Sequence, residues 1–263
     1  MARESPFRLL MQKAVRRSSP SVKTREEWDI ESKPAYMTGV LRAAKQALAE
    51  GADSMSVIEF GVAGGTGLVA LQRIAEAVQQ DTGIAISVFG FDAGNGLPQL
   101  TGDYRDHPDI FQFGDFPMDM KALKARLAGN TRLIVGNVSE TVPEFVKNLG
   151  APIGFVSVDL DLYSSARDAL RVFQLPGSSM LNRTYLYFDD VEGSWAHRRA
   201  GELLAIDEFN ENDRIFIDRW RGISNGRVFP NASWHNKMYV AHNLDAISRA
   251  ERSRQANVLL LGD

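Results

Sequence analysis

The fold is indicated by residues 57–67, which read Val57-Ile58-Glu59-Phe60-Gly61-Val62-Ala63-Gly64-Gly65-Thr66-Gly67. The apolar residues up to Phe60 are typical of a buried strand, and the spacing of apolar residues from Leu68 onward predicts a helix. Glycine at such a junction lets the main chain approach a ligand closely, and the following helix directs its free N–H groups and its positive dipole end to the same place. The stretch therefore predicts a ligand-binding loop; the plainer alternative is a glycine turn that only packs helix on strand.

The spacing of the glycines and the acid before them point to one class of cofactor. The glycines follow G-x-x-G-G-x-G, whereas a dinucleotide-binding loop follows G-x-G-x-x-G, so a nicotinamide dehydrogenase is disfavoured. The pattern E-x-G-x-x-x-G after an apolar strand resembles motif I of the class I S-adenosylmethionine (SAM) methyltransferases, whose loop lines the methionine part of SAM. This resemblance implies that the cofactor is bound by Glu59, Gly61, Val62, Ala63, Gly64, Gly65, Thr66 and Gly67.

The composition is that of a folded domain without a nucleic-acid or membrane signature. The 263 residues are 44% hydrophobic and 24% charged, which suits one large α/β domain. The net charge of -3 provides no basic field for nucleic acid, and no apolar run reaches the roughly 18 residues that a membrane helix needs. The absence of cysteine excludes disulfides and thiolate metal sites. We expect a cytoplasmic protein that binds a small molecule, and homo-oligomerisation is left open.

The first fifty residues are predicted to form a helical extension or lid, and residues 51–263 a methyltransferase domain. Residues 1–33 are polar, which suggests an appendage outside the core. Pro34 then begins a helix with one apolar face. Tyr36, in the first turn of this helix, is a candidate for a lid or for the wall of the cofactor site, with ordinary packing as the alternative.

Strands that alternate with helices predict a parallel sheet. Apolar strands are expected at 86–91, 132–135, 153–158 and 184–188, and two more, at 214–220 and 237–241, are expected to pair antiparallel at one edge. Parallel strands joined by right-handed crossovers have their carboxyl ends along one edge of the sheet. Helices are expected at 120–127, 167–173 and 246–255. Together with the resemblance, this predicts an α/β fold: a Rossmann-like class I methyltransferase with a mostly parallel seven-stranded sheet, helices on both faces and an antiparallel edge strand.

Two strand ends extend the expected cofactor site. Asp92 ends the second strand, where an acid accepts hydrogen bonds from ribose hydroxyls. By strand order, the turn after the third strand lies under the adenine, which makes Asn137 and Val138 the candidates there. The alternative is a simple turn with a helix cap, because Ser139 and Thr141 are good capping residues.

Four acids follow the fourth and fifth strands. Asp159 and Asp161 come after the fourth strand, and Asp189 and Asp190 after the fifth. Neighbouring strands lie about 4.8 Å apart, so Asp159 and the Asp189-Asp190 pair are expected to converge within reach of one cation, which would offset their mutual repulsion. Oxygen ligands favour Mg²⁺, Mn²⁺ or Ca²⁺ over zinc or copper. The alternative is that these acids cap helices and accept loop hydrogen bonds.

A narrower resemblance covers roughly residues 35–215. Successive segments are similar to motifs of the macrocin and mycinamicin sugar O-methyltransferases: residues 59–62, 89–92 with 96–98, 136–137 with 141–143, 159–165 and 189–190. In that family a divalent metal, held by acids at the ends of strands four and five, chelates two substrate oxygens. The resemblance implies Asp159, Asp189 and Asp190 as metal ligands, with Asp159 also at the cofactor. The chain departs from the family after Asp190, where residues 191–197 replace a short turn, so the acceptor stays open.

The predicted function is SAM-dependent O-methylation of a small hydroxylated molecule, a sugar or natural product, with help from a divalent metal. Asp161 and His197 are the candidate bases; the alternative for His197 is an exposed residue on the following helix. A catechol-type or metal-independent small-molecule methyltransferase is the alternative among enzymes. The alternative from another class of protein is a non-catalytic SAM-binding sensor or scaffold. Asp159, Asp189 and Asp190 argue against it, because a protein that only binds SAM does not need three carboxylates there.

Overall fold

The computed structural model describes residues 6–225 and 227–249. Within these residues the strands are β1 (Ser54–Phe60), β2 (Ala85–Asp92), β3 (Thr131–Val135), β4 (Ile153–Val158), β5 (Met180–Phe188), β6 (Ile215–Arg219) and β7 (Met238–Asn243). The helices are α1 (Pro6–Arg17), α2 (Val22–Glu27), α3 (Pro34–Ala49), α4 (Thr66–Thr82), α5 (Met120–Lys124), α6 (Val138–Lys147), α7 (Tyr163–Leu170), α8 (Gly201–Phe209) and α9 (Leu244–Arg249). The predicted helix at 246–255 lies mostly outside the described residues.

The seven strands form one sheet in the order β3-β2-β1-β4-β5-β7-β6. β1 is parallel to β2 and β4, β2 is parallel to β3, and β4 is parallel to β5. β7 runs antiparallel to both β5 and β6. The predicted mostly parallel sheet with an antiparallel edge is therefore confirmed. The order reverses between β1 and β4, which opens a crevice at their carboxyl ends.

Helices cover both faces of the sheet, as its alternating side chains require. In β1, Met55 and Val57 belong to one buried cluster and Ile58 and Phe60 to another, because side chains two apart on a strand share a face. The first cluster includes the apolar faces of α3 and α4. The second includes those of α6, α7 and α8. A strand covered on both faces consists mainly of apolar residues, which explains the unbroken apolar runs in the sequence.

The N-terminal region is more closely joined to the core than the sequence predicts. Residues 1–33 are expected to lie outside the core, yet Val22 and Ile30 are buried. Two acids of this region, Glu26 and Asp29, are also buried and form salt bridges of 2.8 and 2.9 Å with Arg227. The prediction fails because polarity along the sequence does not reveal that a distant arginine neutralises these acids. α3, predicted as part of the extension, supplies one side of the core.

Two helices differ from their expected bounds. α7 begins at Tyr163, four residues before the predicted start. Its first turn is fixed by Asp106, whose carboxylate accepts hydrogen bonds from the Ser164 N–H at 2.8 Å and the Ser164 hydroxyl at 3.0 Å. α5 ends at Lys124, three residues before the predicted end. Among the residues that the structure describes, none of the helices combines the length and apolar character needed to cross a membrane.

Candidate active site

The carboxyl ends of the parallel strands surround a cavity of about 410 Å³. Such a volume falls in the range of about 300–1,000 Å³ typical of small-molecule sites. The cavity lies at the crevice between β1 and β4, where the helices that follow these strands cover opposite faces of the sheet. It is lined by every residue that the sequence assigns to the cofactor: Glu59, Gly61, Val62, Ala63, Gly64, Gly65, Thr66, Gly67, Asp92, Asn137, Val138 and Asp159.

The glycines let the loop after β1 pass close to its neighbours. Gly61 has a φ of 84°, and a Cβ at this position would lie 1.7 Å from the carbonyl oxygen of Asp159. Gly65, with a φ of 78°, sits at the N-cap of α4, whose first residues Thr66 and Gly67 line the cavity. The unpaired N–H groups of that first turn therefore open toward the cavity, an arrangement that attracts negative charge.

Asp92 fastens the glycine loop to the end of β2. Its Oδ2 accepts hydrogen bonds from the N–H groups of Val62 at 2.9 Å and Ala63 at 2.8 Å, and its Oδ1 accepts one from the Gly94 N–H at 2.6 Å. A carboxylate has about four acceptor positions, so one remains for a ligand hydroxyl. The structure thus shows that Asp92 holds the glycine loop in place, a role that the sequence did not indicate. Its contact with a ribose hydroxyl stays a prediction.

Glu59 lies beneath the loop in an apolar environment. Its Oε1 accepts a hydrogen bond of 2.7 Å from the Tyr36 hydroxyl, and its Oε2 is buried without a hydrogen-bond partner. Burial raises the pKa of Glu59 to about 8, against the hydrogen bond from Tyr36 and the charge of Lys33. α4 passes so close that a Cβ on Gly67 would lie 1.9 Å from Glu59 Oε1. Glu59 is therefore protonated at neutral pH and holds Tyr36 against the loop.

Three of the four acids at the ends of β4 and β5 have raised pKa values, because their surroundings disfavour the charged carboxylate. Burial raises the pKa of Asp159 to about 7, with further contributions from Asp189 and Asp190. Burial, followed by the charge of Asp159, raises the pKa of Asp161 to about 7. The pKa of Asp190 is likewise raised to about 7 by burial and then by Asp161. The acids therefore interact electrostatically, as their strand positions predict.

Asp189 differs from its neighbours because a lysine and a tyrosine hold it. Its Oδ1 accepts hydrogen bonds from the Lys237 ammonium at 3.0 Å and from the Tyr187 hydroxyl at 2.5 Å. Burial acts to raise the pKa of Asp189, but these two partners outweigh it and the pKa is lowered. Asp189 is therefore an anion at neutral pH.

The oxygen atoms of the acid cluster are suitable ligands for a hard divalent cation, but the side chains are not arranged as a complete set of ligands. Carboxylate oxygens are the ligands that Mg²⁺ and Ca²⁺ prefer, and Asp190 Oδ2 is buried without a hydrogen-bond partner. Over residues 6–225 and 227–249, however, no three His, Asp or Glu side chains are grouped so as to hold a metal ion. The predicted ligands Asp159, Asp189 and Asp190 thus remain a proposal.

The structure separates the two candidate bases. Asp161 lines the cavity and adopts a φ of 60°, held by a 2.6 Å hydrogen bond from the Leu162 N–H to the Leu160 carbonyl across it. His197 is exposed, precedes α8 instead of lying on it, and is not among the residues that line the cavity. In the segment before α8, Trp195 packs edge-on against His107 and Phe111.

Two residues at the site, Lys33 and Glu202, were not predicted from the sequence, and a third, Phe116, was predicted only as one of several aromatic residues in an insertion between β2 and β3. Lys33 lines the cavity; its only signal is its position immediately before the helix-starting proline. Glu202 is fully buried and accepts a 2.9 Å hydrogen bond from the Asp190 N–H, which fixes the turn after β5. Phe116 lines the cavity mouth with a φ of 60° and a 54% exposed side chain. The aromatic insertion that contains Phe116 is visible in the sequence, but no periodicity shows which of its rings faces the site.

Comparison with solved structures identifies the fold. The calicheamicin methyltransferase CalS11 superposes with a TM-score of 0.53 and 20% identity, over 92% of this chain and 95% of that chain. The O-methyltransferase NovP superposes with a TM-score of 0.52 and 14% identity, over 90% of this chain and 98% of that chain. The sequence matches no protein-family model and no curated protein. The structural likeness establishes the Rossmann-like methyltransferase fold predicted from the sequence.

Proposed function

We propose that this protein is a SAM-dependent O-methyltransferase that transfers a methyl group to a hydroxyl of a small molecule. The observation that carries this proposal is that one cavity joins the glycine loop to the carboxyl groups of Asp161 and Asp189. A methyl donor at the loop and an acceptor at the acids would share one site, which removes much of the entropic cost of bringing them together. The fold shared with CalS11 and NovP supports the same class of chemistry.

The proposed cofactor site uses the side of the cavity nearest β1, β2 and β3. Residues 61–67 would hold the methionine part of SAM, Asp92 the ribose, and Asn137 with Val138 the adenine. When bound, SAM supplies an electrophilic methyl group on a sulfonium. The protein contributes binding and orientation: Asp92 holds the loop in shape through its backbone contacts.

We further propose that Asp159, Asp189 and Asp190 hold a divalent cation, with Mg²⁺ as first candidate and Mn²⁺ or Ca²⁺ as alternatives. The raised pKa values of Asp159 and Asp190 reflect negative charges crowded into a buried site, a cost that a bound cation would offset. Such an ion lowers the pKa of a hydroxyl that binds to it. Lys237, which already contacts Asp189, would share that carboxylate with the ion.

Asp161 is the proposed general base. Burial and the neighbouring charge of Asp159 raise its pKa to about 7, and a base titrating near the working pH is best matched to proton transfer. The Asp161 carboxylate would take the proton from the acceptor hydroxyl, and bound SAM would supply the methyl group to that oxygen and leave as the thioether. S-adenosylhomocysteine and a methyl ether are the products, and Asp161 later releases its proton to solvent.

The acceptor class follows from the remaining cavity wall. Leu97, Pro98 and Phe116 supply apolar surface at the mouth, and Asp161 faces the same space. This combination suits a molecule that carries hydroxyls beside an apolar face, as sugars and many natural products do. A catechol fits the same description, so both belong in the acceptor screen.

Calorimetric titration tests the proposal in two steps. The protein is first titrated with SAM, S-adenosylhomocysteine and NAD, and we expect the first two to bind and NAD to give no heat. Mg²⁺ is then titrated into the S-adenosylhomocysteine complex of the wild type, of Asp189→Asn, and of Asp81→Asn as a control with the same charge change on the exposed end of α4.

The two steps separate the cofactor proposal from the metal proposal. Mg²⁺ heat in the wild type and in Asp81→Asn that disappears in Asp189→Asn would support the carboxylate site. Equal heats in all three proteins, or none in the wild type, would refute the metal proposal and leave the methyltransferase proposal standing. Failure of SAM and S-adenosylhomocysteine to bind would refute both.

A further inference from the structure

The charge lining the cavity is strongly one-sided. Among the described residues that line it, six are acidic: the protonated Glu59, and Asp92, Asp115, Asp159, Asp161 and Asp189. Lys33 is the one lysine or arginine in the same lining. A cavity of this kind attracts cationic groups and repels anionic ones, so an anionic part of a ligand is best placed near Lys33, whose full charge exceeds the partial positive charge at the N-terminus of α4.

Lys33 is placed to act on a ligand because it lines the cavity outside any close ion pair, although its charge also acts on the carboxyl groups of Glu59, Asp159 and Asp189. It is half-buried immediately before α3, and its side chain forms no helix cap. Its Nζ lies 5.3 Å from the centre of the Tyr36 ring. Within residues 6–225 and 227–249, this ammonium forms no hydrogen bond and no salt bridge, in contrast to Lys237, which pairs with Asp189 at 3.0 Å.

The position of Lys33 is on the side of the cavity assigned to the methionine part of the cofactor. Tyr36, which carries the Lys33 ammonium over its ring, donates a hydrogen bond to Glu59 beneath the glycine loop. The charge of Lys33 acts on the carboxyl group of Glu59, where it partly opposes the effect of burial. Lys33 therefore lies near the loop formed by residues 61–67.

The cofactor of the proposed function has a charge pattern that this wall can recognise. The methionine end of SAM carries a sulfonium and an ammonium, both positive, and one carboxylate. The acids favour the two cations, whereas the carboxylate entering this cavity needs a cationic partner, because an unpaired buried charge is costly. We propose that Lys33 binds the carboxylate of the methionine end of the cofactor, an assignment that rests on the proposed function.

A lysine suits this task for physical reasons. Its flexible four-carbon stem carries a compact charge with three donors, so the ammonium can leave the Tyr36 ring and reach a carboxylate without movement of α3. The helix N-terminus of α4 adds a weaker positive end to the same region. Lys33 thus converts an acid-lined cavity, which would bind simple cations, into one selective for an amino acid.

A pair of ligands that differ only in the carboxylate tests the assignment. S-adenosylhomocysteine carries both the ammonium and the carboxylate; its decarboxylated analogue, 5′-(3-aminopropylthio)-5′-deoxyadenosine, keeps the ammonium alone. Both are titrated calorimetrically into wild type, Lys33→Gln, Lys33→Arg and Lys23→Gln. Lys23→Gln is the matched control, because it removes the same charge from a side chain that is 74% exposed on α2.

The two ligands should respond differently to the loss of Lys33. We expect Lys33→Gln to weaken S-adenosylhomocysteine binding about 10- to 100-fold, the range for a lost charged hydrogen bond. Binding of the decarboxylated analogue should be unchanged or tighter, because a positive charge near its ammonium is removed. Lys33→Arg should retain most of the affinity for S-adenosylhomocysteine, and Lys23→Gln all of it.

Other outcomes identify which idea has failed. If Lys33→Gln weakens both ligands equally, Lys33 shapes the site by packing and the carboxylate assignment is wrong. If neither affinity changes, the lysine does not touch the cofactor. If the wild type binds S-adenosylhomocysteine no better than the decarboxylated analogue, the cavity does not recognise the carboxylate at all. Absence of binding by either ligand to the wild type would overturn the proposed function as well.

Discussion

Glu59 should make the ligand-free protein less stable as the pH rises through neutrality. In the folded protein burial keeps its carboxyl group protonated up to a pKa of about 8, while the ordinary value is 4.5. Between these pH values the folded state binds one proton more than the unfolded state, so the free energy of unfolding falls as the pH increases. Substitution of Glu59 by glutamine removes this dependence, because the amide keeps an oxygen for the Tyr36 hydroxyl and cannot ionise.

The magnitude follows from the separation of the two pKa values. Each pH unit in this interval costs about 1.4 kcal/mol of stability, so the loss between pH 4.5 and 8 sums to about 4–5 kcal/mol. Over an experimentally convenient interval, from pH 5.5 to 7.5, Glu59→Gln should gain about 2–3 kcal/mol relative to the wild type. Any constant difference caused by the amide N–H at the position of Oε2 does not change with pH and cancels.

Urea unfolding of the ligand-free proteins provides the assay. Tryptophan fluorescence follows unfolding of wild type, Glu59→Gln and the control Glu76→Gln, an exposed position on α4, at pH 5.5, 6.5 and 7.5. The free-energy difference between Glu59→Gln and wild type should widen with pH, and that of Glu76→Gln should stay constant. A Glu59→Gln difference that is the same at all three pH values would show that Glu59 is already ionised in the folded state, and would refute the reasoning from burial.

Three further predictions concern the base, the N-terminal contact and the glycine loop. Once a substrate is found, Asp161→Asn should lower kcat about 10²- to 10⁴-fold. The Kd for SAM, measured by calorimetry, should not change. A loss of SAM affinity with kcat unchanged would show that Asp161 is not the base. Arg227→Met should cost up to about 3–5 kcal/mol in urea unfolding, because the buried Glu26 and Asp29 lose a close partner and keep only Arg42 at 3.9 Å and Arg8 at 3.0 Å. The control Arg221→Met, at a side chain that is 83% exposed, should cost almost nothing; similar losses would contradict the prediction. Gly67→Ala should lower the melting temperature, since the Cβ of the alanine would clash with Glu59 Oε1. The decrease in melting temperature should be smaller in a Glu59→Ala background. Strictly additive effects of the two substitutions would argue against that contact.

The elements of the fold were largely predictable because local patterns encode them. A buried parallel strand must be apolar on both faces, which makes β1, β2 and β4 visible as apolar runs. The start of α7 and the course of the N-terminal region were harder to predict, since each depends on a distant partner. Asp106 fixes the first turn of α7 from 58 residues away, and Arg227 neutralises Glu26 from 201 residues away.

The candidate site likewise contains residues that the sequence predicted and residues that depend on distant contacts. Residues that follow directly from strand ends, such as Asp92 and Asp161, lie at the cavity as expected. His197 does not, because its place depends on how Trp195 packs against the insertion between β2 and β3. Lys33 was not foreseen as part of the site, because a lone lysine before a helix carries no local signal of what it faces.

By itself, the sequence determined the alternation of strands and helices, the glycine loop after β1 and the acids at the strand ends. Each of these depends on residues close together in the chain: strand periodicity, glycine conformation and the position of an acid directly after a strand. Only the tertiary structure decided which charges meet. It placed Lys33 in the same cavity as six acidic residues, Lys237 on Asp189, and Glu59 in an environment that keeps it protonated. Electrostatic interactions depend on distance in space and on burial, and neither quantity is set by neighbours along the chain.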